Sequence, residues 1–348
     1  MATVTVVGAG MMGSALSVPL ADAGHEVRLV GTPLDADIIA ALRRDGIHPK
    51  LRLPLPAGIS FHPVEELAAA MAGVELIGLG VSSAGIDWAA SALSPHVRPH
   101  VPLVMVTKGL SWGGAELEIL PDVLLRGWSA RGADGPKPVA IAGPCIAGEL
   151  ARRVPTSVVL SGRDAQAARS VARLARTSYY YPSTSPDIVG VELCAALKNA
   201  YAMGIAFGTG LHERAGGQPG SVAMHNYEAA VFAQATVEMQ RLVARLGGDP
   251  STAAGLAGVG DLNVTCNGGR TGRFGRLLGL GYSVPEAISR MEGATLECLE
   301  VLAVLRTAFT EDATGRLRAD DFPLLRHLGA VAFDGHPVDV PFESFYEA

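Results

Sequence analysis

A strand, a glycine-rich turn and a helix follow one another at the start of the chain. Residues 3–7 form a short β-branched run, which breaks into a GxGxxG turn over residues 8–13 and then into small, helix-compatible residues. In this context Gly8 permits a tight turn, Gly10 lets the backbone approach a pyrophosphate, and Gly13 permits close packing of the helix. The amides at the helix N-terminus attract negative charge. The stretch therefore predicts a dinucleotide-binding βαβ unit, with Pro19 kinking or shortening its helix.

The end of the second predicted strand, Glu26–Val30, bears on which dinucleotide is bound. An acid at this point binds the adenosine ribose 2′-hydroxyl and repels a 2′-phosphate. The chain reads Gly-Thr-Pro at residues 31–33, and Asp35 comes slightly later. Three basic residues further on are compatible with a 2′-phosphate and equally with a solvated helix face: Arg43, Arg44 and Lys50. We expect Thr32 to contact the cofactor, which is NADP or NAD with a slight preference for NADP.

Five further strand candidates predict that the glycine turn belongs to a larger sheet. They are apolar runs over residues 75–81, 102–106, 139–142, 156–160 and 178–181. We therefore predict an α/β fold, in which residues 1–184 form a Rossmann-type doubly wound mixed sheet and residues 185–348 an all-helical domain. Ligands of such sheets lie beyond the carboxyl ends of the strands, where Ser82, Ser83 and Lys108 stand. An ordinary loop lysine explains Lys108 equally well.

The longest apolar run begins at Ser185-Pro186-Asp187, three residues suited to the first turn of a helix. Between residues 193 and 211 its sole charged side chain is Lys198. On a 3.6-residue period Lys198 shares the apolar stripe, which faces the core. Burial without a partner would lower the pKa of this lysine and suit it to proton exchange near neutral pH. A lysine whose head reaches solvent along an apolar stem is the alternative.

A glycine-rich interval over residues 212–224 and a helix predicted over about 226–246 follow this run. Beyond them Asp261 ends a glycine-rich loop, and three arginines stand three residues apart at a predicted helix start: Arg270, Arg273 and Arg276. A carboxylate followed by such arginines suits an anionic ligand, because the planar guanidinium binds phosphate through two hydrogen bonds. A solvated helix face is the alternative interpretation of the triplet.

Composition excludes several classes of protein. The length of 348 residues is typical of two domains, and a content of 49% hydrophobic and 18% charged residues is typical of a packed globular chain. The net charge of −6 argues against nucleic-acid binding. The four cysteines stand far apart without a CxxC pair, so neither a metal site nor a disulfide framework is expected. No leader pattern precedes the first strand, and no apolar run approaches the length of a membrane span. We expect a cytoplasmic protein.

Six motifs occur in an order that resembles one known family. They are the turn at 8–13, Lys108-Gly109, Gly143-Pro144, Lys198-Asn199, Gly258-Val259-Gly260-Asp261-Leu262 and Arg270. Over about residues 3 to 310 the chain resembles the NAD(P)-dependent glycerol-3-phosphate dehydrogenases. The resemblance implies a homodimeric oxidoreductase that interconverts dihydroxyacetone phosphate and sn-glycerol 3-phosphate by hydride transfer.

The resemblance also implies roles for individual residues. Lys198 is the proton donor and acceptor, Lys108 a lysine near both cofactor and substrate, and Asp261 the aspartate that orders the catalytic cluster. The implied cofactor contacts are Gly8, Gly10, Met11, Met12, Gly13, Thr32, Lys108, Ala147, Arg270 and Glu292. The implied substrate contacts are Lys108, Gly143, Cys145, Lys198, Asn199, Asp261, Gly269, Arg270 and Thr271.

The chain departs from the family pattern around the implied phosphate site. Residues 269–272 read Gly-Arg-Thr-Gly where the family usually has Ser-Arg-Asn-Arg, and Cys145 replaces a Ser or Thr. Glu228 and Gln234 stand at positions that are usually basic. A dehydrogenase of the same fold for another polyol phosphate or a hydroxy acid therefore stays open as an alternative.

A non-catalytic NAD(P)-binding regulator is the second alternative, from a different functional class. Such a sensor needs the glycine turn of the first domain alone. The chain keeps Lys198, Asn199 and Asp261 in the second domain, which argues for catalysis.

Overall fold

The computed structural model describes residues 1–220 and 224–346, and the chain divides into two compact units. Unit 1 consists of Met1–Lys108 and Leu120–Val191, and unit 2 of Gly109–Ile119 and the chain from Glu192 onward. The predicted boundary at residue 184 and the observed one at residue 191 both fall near the start of the long apolar helix. The excursion of residues 109–119 into unit 2 was not expected from the sequence.

Unit 1 is built on an eight-stranded mixed sheet with the strand order β12-β11-β10-β7-β6-β1-β2-β5. All neighbours are parallel except β10 and β11, which confirms the predicted Rossmann-type fold. Two short antiparallel hairpins, β3–β4 and β8–β9, lie outside the sheet. The strands are β1 Thr3–Val7, β2 Glu26–Val30, β3 Ile47–His48, β4 Leu53–Pro54, β5 Ile59–His62, β6 Leu76–Leu79, β7 Leu103–Met105, β8 Leu110–Trp112, β9 Leu117–Ile119, β10 Val139–Ala142, β11 Thr156–Gly162 and β12 Tyr180–Ser185.

Helices cover both faces of the sheet in unit 1 and make up most of unit 2. In unit 1 they are α1 Met11–Asp22, α2 Ala36–Asp45, α3 Leu67–Ala70, α4 Ile86–Leu93, α5 Leu120–Ser129, α6 Ala147–Leu150 and α7 Ala165–Ala175. The helices that follow are α8 Ile188–Arg214, α9 His225–Arg245, α10 Asp261–Cys266, α11 Arg270–Gly279, α12 Val284–Ser289, α13 Glu297–Glu311 and α14 Pro323–Phe333.

The sheet separates two hydrophobic clusters, because successive side chains of a strand point to opposite faces. Val4 and Val6 of β1 lie in one cluster, whereas Val7 lies in the other with Ile77 and Leu79 of β6. Both faces of the central strands are therefore buried, as expected for parallel strands covered by helices. This burial holds the carboxyl ends of β1, β6 and β7 at one common edge of the sheet.

The structure contradicts two details: a shortening of α1 at Pro19 and a start of α8 at Ser185. Helix α1 runs through Pro19 to Asp22 and is not shortened, because residues 13–20 are all buried and their packing compensates the one lost hydrogen bond. Helix α8 begins at Ile188, and its cap is Asp187, whose carboxylate accepts from the amide of Gly190 at 2.9 Å. The hydroxyl of Ser185 instead accepts from the Asp187 amide.

The interval predicted over residues 212–224 is shorter than expected. Helix α8 continues to Arg214, and α9 begins at His225. Residues 221–223 of that interval lie outside the described residues.

Among the described residues one helix, α8, is long and apolar enough to cross a membrane by length and composition. The expectation that no apolar run approaches that length is therefore wrong. Of the qualifying window 89% is buried inside the protein. The core helix of a folded domain passes the same test, so α8 is weak evidence for a span.

Glycines let α8 and α11 touch through their backbones in unit 2. A Cβ added at Gly275 would lie 2.2 Å from the Met203 carbonyl oxygen, and one at Gly279 would lie 2.4 Å from that of Phe207. From the α8 side, a Cβ at Gly210 would lie 2.2 Å from the Arg276 carbonyl oxygen. Backbone atoms cannot move aside as a side chain can, so these glycines fix α11, with Arg270 at its start, on α8.

Gly275→Ala should therefore destabilise the protein by about 1–3 kcal/mol, the usual cost of overpacking a tight core. Gly329→Ala is the matched control, because Gly329 also lies inside a helix but has no atom within 4 Å of an added Cβ. It should be neutral or stabilising by about 0.5–1 kcal/mol through lower entropy of the unfolded chain. Urea unfolding of both variants measures the difference; equal stabilities would contradict the backbone contact.

Candidate active site

The glycine turn of unit 1 has the geometry predicted for each of its glycines. Gly8 has a φ of +108°, and a Cβ added there would lie 2.6 Å from the Gly80 carbonyl oxygen. A Cβ at Gly13 would lie 2.0 Å from the Gly8 carbonyl oxygen, so this glycine permits close helix packing. Gly10, the residue before α1, faces open space, with no atom within 4 Å of an added Cβ. This open space at a helix N-terminus suits the pyrophosphate of a dinucleotide.

Asp35 holds the turn from the side of β2, a contact that the sequence did not indicate. Its Oδ2 accepts hydrogen bonds from the Ala9 amide at 3.1 Å and from the amide and hydroxyl of Thr32 at 2.9 and 2.8 Å. Asp35, which comes after the strand tip in the sequence, thus folds back onto Thr32. Asp35 is only 8% exposed, so its carboxylate is committed to the backbone of the turn.

His48 holds the same turn from the β3–β4 hairpin. Its Nε2 donates to the Ala9 carbonyl oxygen at 3.0 Å, and its Nδ1 accepts from the amides of Lys50 and Leu51 at 3.2 and 3.1 Å. These partners require the neutral ring with the proton on Nε2. Burial lowers the pKa of His48 below its ordinary value of 6.5. Asp35, which acts in the opposite direction, and Lys50 are the charged neighbours.

The lowered pKa of His48 predicts a loss of stability in mild acid. A base whose pKa is lower in the folded protein contributes its full stability above the unfolded value, near 6.5, and loses it as the pH falls toward the folded value. Protonation would also turn Nδ1 from an acceptor into a donor that faces two amides. The free energy of unfolding should therefore fall between pH 7 and 5 more steeply in the wild type than in His48→Gln, as measured by urea unfolding. Equal slopes would exclude this role of His48.

The other predicted residues of unit 1 lie at the same carboxyl edge of the sheet. Lys108 follows β7, and Gly143, with a φ of +118°, follows β10. Cys145 comes two residues later and is half-buried, and the buried Ala147 opens α6. Unit 1 thus brings Lys108, Gly143, Cys145 and Ala147 to the edge that carries the glycine turn, as predicted for a doubly wound sheet.

In unit 2 the buried Lys198 of α8 forms an ion pair with Asp261. The side chains are 11% and 1% exposed, so neither charge is fully solvated. The premise of a buried lysine without a partner was therefore wrong, and so was the alternative of a head group in open solvent. The carboxylate compensates the ammonium charge at a position where an isolated charge would be costly.

A short π-helical turn over Leu256–Gly260 places Asp261 at the first residue of α10. A Cβ on Gly258 would lie 1.9 Å from the Ala253 carbonyl oxygen, so the turn can form only with glycine there. The π-turn runs directly into α10, and the Thr265 hydroxyl donates to the Asp261 carbonyl oxygen at 2.6 Å. Single π-turns are frequent at functional sites. Asn199, also predicted to bind substrate, follows Lys198 on α8.

Arg270 lies at the start of α11, exposed, and forms an ion pair with Glu297 at the start of α13. Gly269 precedes it with a φ of +95°, a conformation that favours glycine. Thr271 is buried, and its side chain hydrogen-bonds to Cys298, so no long side chain points outward there. Glu292 has a φ of +52° and lies in the loop between α12 and α13.

Two departures from the family pattern have structural explanations in unit 2. Glu228 accepts a hydrogen bond from the Thr209 hydroxyl at 2.8 Å, and Gln234 donates to the buried Glu238 at 3.0 Å. Arg276 is bonded through Nε and Nη2 to Glu213. All three arginines of the triplet are at least partly exposed, and Arg270 and Arg276 pair with different glutamates, so the triplet is a solvated helix face with two ion pairs and not a single cluster.

Two family models match the chain and together span most of it. The N-terminal model of NAD-dependent glycerol-3-phosphate dehydrogenase matches residues 3–168, and the C-terminal model of the same enzyme matches residues 187–343. The chain belongs to this family. The predicted NAD(P)-dependent oxidoreductase that acts on a CH–OH group, a glycerol-3-phosphate dehydrogenase, is thereby confirmed.

Relatives and solved structures agree with the family models. An NADP(+)-dependent glycerol-3-phosphate dehydrogenase from Archaeoglobus fulgidus is 35% identical over 97% of this chain and 96% of its own length. A glycerol-3-phosphate dehydrogenase [NAD(P)+] from Escherichia fergusonii is 37% identical over 82% of this chain and 80% of its own. The crystal structure of glycerol-3-phosphate dehydrogenase from Coxiella burnetii superposes with a TM-score of 0.82 at 26% identity, over 100% of this chain and 99% of that one.

Proposed function

We propose that Lys198 donates the proton to the carbonyl oxygen when this enzyme reduces dihydroxyacetone phosphate, and accepts it in the reverse reaction. The observation that carries the proposal is the buried Lys198–Asp261 pair in unit 2, at the two positions to which the resemblance assigns these roles. A buried ammonium stabilises the developing alkoxide and then supplies its proton. The nicotinamide cofactor, when bound, supplies the hydride.

Asp261 acts as a positioning residue for that ammonium. The π-turn and the helix start fix its carboxylate, so the ammonium is oriented before substrate arrives. Arg270, at the start of α11, is the proposed contact for the substrate phosphate, since its guanidinium is exposed and helix-terminal amides lie beside it. Asn199, Gly269 and Thr271 are proposed substrate contacts by position.

The glycine turn is the proposed cofactor site of unit 1. Gly10 leaves open space at the N-terminus of α1, while Asp35 and His48 fix the turn through Ala9. Met11, Met12 and Thr32 flank this space in the chain, and Lys108 and Ala147 stand at the same edge of the sheet. Glu292 remains a cofactor contact proposed from the resemblance alone. The homodimer and the cytoplasmic location likewise remain predictions.

Lys198→Ala should lower turnover of dihydroxyacetone phosphate at least about a hundredfold, the usual contribution of a positioned proton donor. It also leaves the Asp261 carboxylate buried without its partner, so the variant should melt at a lower temperature. The double variant Lys198→Ala/Asp261→Asn removes both charges, which should restore much of the melting temperature but not turnover. Lys137→Ala, at an exposed position, is the control. Near wild-type turnover in the double variant would refute the assignment.

NADPH should bind at least as tightly as NADH, as measured by cofactor fluorescence. Residues 31–33 supply no carboxylate that would repel a 2′-phosphate, and the Asp35 carboxylate is held through Oδ2 on Ala9 and Thr32. Lys50 follows His48, which holds the glycine turn, and offers a cation on this side of the site. Lys50→Glu should weaken NADPH by about tenfold, one charge-assisted contact, and NADH far less. Equal losses for both cofactors, or a clear preference for NADH in the wild type, would contradict the NADP assignment.

A further inference from the structure

Helix α11 carries two arginine–glutamate pairs that differ in geometry. Arg276, in the last turn, bonds to Glu213 through both Nε and Nη2, the two-point arrangement that locks a guanidinium. Arg270, in the first turn, bonds to Glu297 through Nη2. The Arg270 and Glu297 side chains are 50% and 28% exposed, so a ligand from solvent can reach the pair. Glu213 of the first pair is 10% exposed and Glu297 of the second 28%, so the second pair, held through one nitrogen, is the more open to exchange.

The positions of Arg270 and Glu297 at helix N-termini lower the free-energy cost of replacing Glu297 by another anion at Arg270. Arg270 is the first residue of α11, where the helix dipole disfavours a cation and no acidic residue stands in the first turn. Glu297 is the first residue of α13, where the dipole favours its carboxylate even without Arg270. An incoming anion can bind both the Arg270 guanidinium and the free amides at the start of α11. The Glu297 carboxylate that it displaces is still stabilised by the N-terminus of α13 and by solvent.

We propose that Glu297 competes with the substrate phosphate for the Arg270 guanidinium and thereby lowers the selectivity of the enzyme for phosphorylated over neutral ketones. The inference rests on the proposed function of Arg270 as the phosphate contact. A ligand phosphate must displace the Glu297 carboxylate from Nη2 of Arg270 and then bind beside the negative charge of that carboxylate. A ketone without phosphate does neither, so its binding is indifferent to Glu297.

The residues around Arg270 agree with a reduced affinity for phosphate. Where relatives usually carry a second arginine, this chain has Gly272, and Thr271 is buried against Cys298. Arg270 therefore lacks the second arginine two residues further on, and the carboxylate paired with it offsets part of its charge. Glu297 is thus placed to set the Michaelis constant for the phosphorylated substrate.

The test compares Glu297→Gln with the matched variant Glu213→Gln, which breaks the other pair on the same helix. Glu297→Gln should lower KM for dihydroxyacetone phosphate by about two- to fivefold, the range expected for a partly exposed ion pair. The inhibition constant of inorganic phosphate, a competitor that needs no turnover, should fall by the same factor. KM for unphosphorylated dihydroxyacetone should stay unchanged. Glu213→Gln should alter none of these values.

Two further variants separate competition from positioning and from failure of the proposed function. If Glu297 instead oriented Arg270, Glu297→Gln would raise KM and Glu297→Ala would raise it further, since glutamine still accepts a hydrogen bond; either result overturns the inference. Arg270→Lys should raise KM for the phosphorylated ketone alone, because an ammonium cannot reproduce the planar fork. If Arg270→Lys acts so but Glu297→Gln changes nothing, the inference fails while the role of Arg270 stands. No effect of Arg270→Lys would refute both.

Discussion

The arrangement of the candidate site in unit 2 depends on a buried ammonium on the apolar stripe of α8. Lys198 is buried, with 8% of its surface exposed, and a carboxylate from another element compensates its charge. Asp261 comes from a position 63 residues further along the chain. The π-turn before Asp261 aims the carboxylate, and the turn in turn depends on Gly258, which touches the backbone of Ala253. The ion pair therefore depends on a glycine and on a rare helical turn that lie outside α8.

Glycines serve the same physical purpose in both units: they allow backbone to meet backbone. Gly8 and Gly13 do so in the turn of unit 1, and Gly275 and Gly279 do so where α11 meets α8. Such contacts are rigid, because no side chain between them can adopt another rotamer. Gly10 is the exception, since nothing occupies the space where its side chain would be. At Gly10 this open space lies at the N-terminus of α1, where a ligand phosphate can approach the backbone.

Patterns of short range were predictable from the sequence, and contacts of long range were not. The β-branched runs gave the strands β1 and β2 at their observed bounds, and the glycine turn gave the dinucleotide-binding unit. Strand β5 was missed, because Ile59–His62 is a four-residue edge strand that is only partly buried and so carries a weak pattern. The hydrogen bond from the Ala9 amide to Asp35 and the ion pair of Lys198 with Asp261 join segments that are distant in the chain. A local hydrophobic period cannot reveal such contacts.

The loss of basic residues in α9 illustrates how a departure in sequence can leave the site chemistry intact. The buried carboxylate of Glu238 accepts hydrogen bonds from the amides of Leu324 and Leu325 at 2.7 and 3.0 Å and so caps α14. Gln234 and Tyr201 supply further neutral donors.

Burial raises the pKa of the Glu238 carboxyl, and the neutral donors act against that shift without adding a cation. Glutamine at residue 234 thus meets a structural need through hydrogen bonds, where an arginine would have added charge. Charge lost from α9 in this way says nothing against an anionic substrate. The evidence on substrate charge lies with the groups that solvent can reach, and at the start of α11 these are Arg270 and the glutamate that holds it.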